Sequence, residues 1–108
     1  MAYEIVEGDL DPDMQITVLV NGLPLDLTTA SLLQMRWQKP DATVVTVSLT
    51  AVSLANGQVK RVWAAGDTAQ TGEHLARVLV TWASGEVQSF PSDGSYMRWE
   101  VNPQLQET

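Results

Sequence analysis

The chain has no cysteine, a single histidine and only six basic residues among its 108. Without cysteine there is neither a disulfide framework nor a thiolate metal site, so packing alone must hold the fold, and intracellular assembly is expected. One histidine cannot supply a zinc ligand set unless subunits share it. No stretch approaches the roughly 20 apolar residues of a membrane span, and the N-terminus lacks the basic-then-apolar pattern of an export signal. No membrane partner is therefore expected. Thirteen acidic residues against six basic ones give a formal charge of −7 and a pI near 4.3. Such a surface repels phosphate backbones on average, so nucleic acid is disfavoured as a partner.

What the chain does contain is short alternating runs separated by turn residues, and a length that suits one domain spanning 1–108. Met14, Ile16, Val18 and Val20 alternate with polar neighbours up to Asn21-Gly22, a tight-turn signal because both residues tolerate positive φ. Leu33, Met35 and Trp37 alternate up to Lys39-Pro40-Asp41, and Val45, Val47 and Leu49 make the next run. After Asn56-Gly57, one side of a strand carries Val59, Arg61 and Trp63 and the other Lys60, Val62 and Ala64, which leaves its inner face open. Ala76, Val78, Val80 and Trp82 follow, then a short run ending at Pro91, then Met97, Trp99 and Val101. The segment from Leu27 to Leu33 lacks alternation and reads as a loop crossing between sheets; residues 104–108 read as a mobile tail.

About seven short antiparallel strands with regular turn signals predict an all-β, immunoglobulin-like β-sandwich, with a small closed barrel as the competing architecture. The four Trp would each bury about 150–250 Å², which makes them core candidates first.

Little catalytic inventory accompanies this pattern. Asp9, Asp11 and Asp13 begin like a calcium loop, but Met14 stands where that loop needs Gly and Val20 where it needs Glu. His74 is the only imidazole; it starts a strand two residues after Gly72, and a surface or half-buried strand-edge position is expected for it rather than a general base. Gly66-Asp67-Thr68 lacks the Lys and Gly spacing of a phosphate loop, and reads as a corner whose side chains satisfy nearby backbone groups. Tyr96, Arg98, Arg36 and Trp37 would suit a sugar-binding face, although Trp37 and Trp99 both fall on apolar-phase positions. The chain is expected to be no enzyme and to need no cofactor or metal.

Several pieces of the sequence, taken in order, resemble the N-terminal immunoglobulin-like domain of phage baseplate upper proteins, the BppU family. They are Gly8-Asp9 before a strand, Gly22-Leu23-Pro24-Leu25-Asp26-Leu27-Thr28, Arg36, the corner from Trp63 to Thr68, and the hairpin from Gly85 to Pro91. Thr29 stands where Gly is commoner, and Arg61 where an aromatic often does. The resemblance implies a structural part of a tailed-phage virion, made and assembled in the host cytoplasm. A freestanding copy is expected to be an adaptor or decoration subunit that docks other virion proteins or further copies of itself in a symmetric array. A carbohydrate-binding module that aids attachment is the alternative.

Candidate contact residues are Glu4, Glu7, Asp9, Asp11 and Asp13 in the acidic N-terminal run, Pro24 and Leu25 in the turn, and Leu79. That run also reads as a solvated edge that discourages strand pairing. Leu79 lies out of phase with Val78 and Val80, so a monomer is expected to expose it or a neighbouring subunit to cover it.

Overall fold

The computed structural model describes residues 3–11, 13–91 and 96–103. The predicted tail at 104–108 lies outside them. The described residues build an all-β sandwich of mixed sheets. The strands are β1 (Tyr3–Val6), β2 (Met14–Thr17), β3 (Leu19–Val20), β4 (Leu23–Pro24), β5 (Ala30–Gln38) and β6 (Val44–Ser48). They continue with β7 (Thr50–Ser53), β8 (Gln58–Arg61), β9 (Gly72–Trp82), β10 (Val87–Phe90) and β11 (Met97–Asn102).

The larger sheet runs β1-β11-β9-β5-β6, and β2-β8-β7 forms the facing sheet. Along one edge of β9 two partners lie end to end: β10 pairs Val78 through Thr81, and β11 pairs Gly72 through Ala76.

The strand count exceeds the expected seven because single sequence runs are divided between layers. The chain leaves β6 in the larger sheet, buries Leu49 at the crossing and enters β7 in the smaller one. The run from Met14 likewise breaks at buried Val18. Beyond it, Asn21 (φ 52°) and Gly22 (φ 78°) close the β3–β4 ribbon, the paired positive φ values that a two-residue hairpin turn requires.

Two stretches differ from expectation. Tyr3–Val6 is a strand, and it pairs parallel with β11 rather than antiparallel. The Leu27–Leu33 segment is a loop only to Thr29: Asp26 accepts the Thr28 N–H at 2.9 Å, Leu27 is wholly buried, and β5 starts at Ala30. Alternation there is hidden because the first residues of β5 are exposed or half-buried on both faces.

Trp37, Trp63 and Trp99 meet in the core with ring centroids 5.6–6.0 Å apart. Trp37 and Trp99 are essentially inaccessible, and each contributes about 4–6 kcal/mol of gross hydrophobic stabilisation at about 25 cal/mol per Å². Val59 and Trp63 are buried as well, which settles the inner face of β8 and places Arg61 on it.

Candidate functional site

The corner after β8 is a hydrogen-bonded clasp. Gly66 takes a φ of 88° that L-residues rarely adopt, and the Asp67 carboxylate folds back to accept the Ala64 N–H at 2.7 Å. The same carboxylate pairs with the Arg61 guanidinium at 2.8 Å, both side chains being about 13–14% exposed. Arg61, at an inner-face position, therefore keeps a counter-ion instead of the packing an aromatic would supply. The Thr68 hydroxyl donates to the Asp9 carbonyl at 2.8 Å, and the Gly8 N–H donates to the Thr68 carbonyl at 3.1 Å. Asp67 thus satisfies a backbone N–H as expected, while Thr68 serves a carbonyl instead.

That clasp fixes the acidic segment. The Glu7 N–H adds a bond to the Asn102 carbonyl at 2.8 Å, and the Asp9 N–H one to Val6 at 3.0 Å. Glu4, Asp9 and Asp11 are exposed and Glu7 is half-buried; Asp13 is committed to Lys60 at 3.3 Å. Glu4 also stands in register with Glu100, and Glu100 with Glu73, so carboxylates form a row across β1, β11 and β9. Tyr3–Val6 forms a strand despite that charge because β11 offers it a free edge.

Of the turn residues, Pro24 is exposed, whereas Leu25 is partly buried and packs against the core. Leu79 departs from expectation: it is only 8% exposed within the single chain. It occupies the centre of the larger sheet's outer face, flanked in register by Gln34 of β5 and Ser89 of β10, and these neighbours cover it.

His74 is neither at the surface nor at a half-buried edge. It shares the inward phase of Ala76, Val78 and Val80 and is completely buried. Trp37 Nε1–H donates to its Nδ1 at 2.9 Å. Because an indole N–H only donates, Nδ1 carries no proton, so Nε2–H donates to the Gln70 carbonyl, 2.9 Å away. Its ring stacks on Trp99 at 5.4 Å and 12°. Burial pushes the imidazole pKa below its ordinary value. With both nitrogens occupied, His74 acts as a core spacer and has no free position from which to serve as a base.

The outer face of the larger sheet carries a depression of about 230 Å³, in which Arg36, Gln38, Arg77, Leu79, Ser89 and Tyr96 meet. Arg36 and Arg77 are direct cross-strand partners, and the Arg77 guanidinium lies 4.6 Å from the Tyr96 ring centroid. Arg36, Tyr96, Arg98 and Trp37 together make the expected sugar-binding face. The structure keeps Arg36 and Tyr96 together and ties exposed Arg98 to Glu73 at 3.1 Å. Trp37 goes to the core. Arg77 and Ser89 had no signal of their own, since only the β5–β9–β10 register brings them to Arg36. Among the described residues no group of three or more His, Asp or Glu is placed to hold a metal ion.

No family model matches the chain, and no curated protein does. Among solved structures it is similar to the crystal structure of CopC from Methylosinus trichosporium OB3b, with a TM-score of 0.54 and 6% identity. The match covers 99% of this chain and 89% of that one. At that identity the likeness concerns the fold alone.

Proposed function

We propose that this chain is a structural subunit of a tailed-phage virion, an immunoglobulin-like adaptor or decoration module that works by docking other virion proteins. The observation that carries the reading is the clasp between Thr68 and Gly8-Asp9. The corner from Trp63 to Thr68, one of the pieces that resemble baseplate upper domains, is also the element that ties down the acidic N-terminal segment by hydrogen bonds at Gly8 and Asp9. A contact segment ordered in advance loses less entropy on association than a mobile one. Mass spectrometry of purified particles tests the reading: the chain is expected at a fixed copy ratio to the other structural proteins, and its absence refutes the proposal.

A second reading, a carbohydrate-binding module for host attachment, is favoured by the depression beside Tyr96. There guanidinium, amide and hydroxyl groups surround an apolar floor at Leu79. Glycan-array binding that Tyr96→Ala abolishes would promote it over docking.

A further inference from the structure

Arg36 and Arg77 stand directly opposite one another on β5 and β9. Like charges directly opposite one another across a sheet are destabilising, and here they sit side by side in a chain with only six basic residues. Arg36 makes no ion pair among the described residues, whereas Lys60, Arg61 and Arg98 are each matched to a carboxylate. Both guanidinium groups border the same depression, and Arg77 is steadied by its contact with Tyr96.

We infer that this depression binds an acidic saccharide, one sugar ring whose carboxylate is held by Arg36 and Arg77; the inference rests on the carbohydrate-binding reading. Planar guanidinium forks match a carboxylate's two oxygens, which a neutral sugar does not offer. The volume, about 230 Å³, is below the roughly 300–1,000 Å³ of drug-sized sites and suits one ring. Exposed Val44, at the border of the depression, supplies apolar contact for a ring's C–H face. Gln38, Ser89 and the Tyr96 hydroxyl supply donors and acceptors for its hydroxyls. An acidic peptide fits less well, because extended peptides gain affinity by pairing with a free strand edge. Arg36 lies between β6 and β9, and Arg77 between β5 and the point where β10 gives way to β11, which leaves only one unmatched position on that edge, too short for a peptide strand.

The test is a heteronuclear NMR titration of the full chain with glucuronate and galacturonate, against glucose and galactose as neutral counterparts and a triglutamate peptide. At least one uronate should give saturable shifts centred on Arg36, Arg77, Ser89 and Tyr96, with its neutral counterpart about tenfold or more weaker. Arg36→Gln and Arg77→Gln should each weaken uronate binding by a similar factor. Arg36→Gln should melt no lower than the parent, since it removes a like-charge neighbour. Equal binding of a neutral sugar at these residues would overturn the acidic preference and leave the carbohydrate reading standing. Triglutamate binding as tightly as the uronate, absence of shifts with either uronate, or unchanged binding in both variants would overturn the saccharide site itself.

Discussion

Trp37 Nε1 donates to His74 Nδ1 at 2.9 Å across 37 residues of sequence, joining β5 to β9 inside the core. Protonating Nδ1 would set two donors face to face, in agreement with the depressed imidazole pKa that burial already imposes. The unfolded chain, with an ordinary histidine pKa near 6.5, then binds more protons than the folded one as pH falls. Stability from this residue is complete above about pH 6.5 and is lost as pH drops from there through the depressed folded value. Urea denaturation at about pH 7.5 and about pH 5.5 should show the parent losing stability. His74→Gln, weaker at the higher pH, should change much less between the two. Nitrogen NMR should find Nδ1 unprotonated at neutral pH.

Trp37→Phe keeps most of the ring but leaves Nδ1 of His74 without a donor. A buried orphan of this kind costs about 1–3 kcal/mol, with lost packing added to it. Chemical denaturation of the single variants and of Trp37→Phe/His74→Phe should give a coupling energy, because the double variant leaves neither the indole N–H nor Nδ1 unmet, while the Gln70 carbonyl loses its donor equally in His74→Phe and the double variant.

The Asp67 carboxylate serves the Ala64 N–H and the Arg61 guanidinium together. Asp67→Ala strips both at once and should cost about 2–4 kcal/mol. Hydrogen exchange should also quicken at Gly8 and Asp9, because Thr68 loses its fixed approach to the acidic segment. Unchanged exchange there would separate the corner from the segment it is argued to hold.

Gly57 sits at φ +67°, and a Cβ on it would come within 2.6 Å of the Leu25 carbonyl and 2.8 Å of the Val18 carbonyl. Both are backbone atoms rather than the ends of flexible side chains, and the Val18 carbonyl is held in place by the Leu25 N–H. Gly57→Ala should therefore destabilise by about 2–4 kcal/mol and move the β3–β4 ribbon that bears Pro24. A thermal melt together with amide shifts at Leu19–Pro24 checks both effects.

Leu79→Lys is a poor probe of docking, because 8% exposure makes it a folding variant; a loss of about 1.5–3 kcal/mol is expected in the isolated chain. Asp9→Lys with Asp11→Lys reverses charge at exposed positions instead. It should leave the melting temperature within a few degrees of the parent while reducing incorporation into particles.

The parts of the fold that follow period-2 alternation were legible: Met35 and Trp37 face inward, as do Val78 and Val80, and Asn21-Gly22 turns the chain. Legibility failed where pairing rather than local pattern decides. Tyr3–Val6 is a strand because β11 offers it a partner. Leu79 is covered because Gln34 and Ser89 flank it. His74 is buried because its phase matches Ala76, and because Trp37 and Gln70 satisfy its nitrogens. The outer-face depression was half visible, as Arg36 and Tyr96, and needed the β5–β9 register to add Arg77.

Cryo-microscopy of particles from a phage that encodes this chain tests the docking account most directly. The account predicts sandwich-shaped density repeated at symmetry-related positions, with Glu4–Asp11 or the Pro24 turn buried against a neighbouring subunit. Particles that lack such density, or that carry the domain with both segments facing solvent, would contradict it.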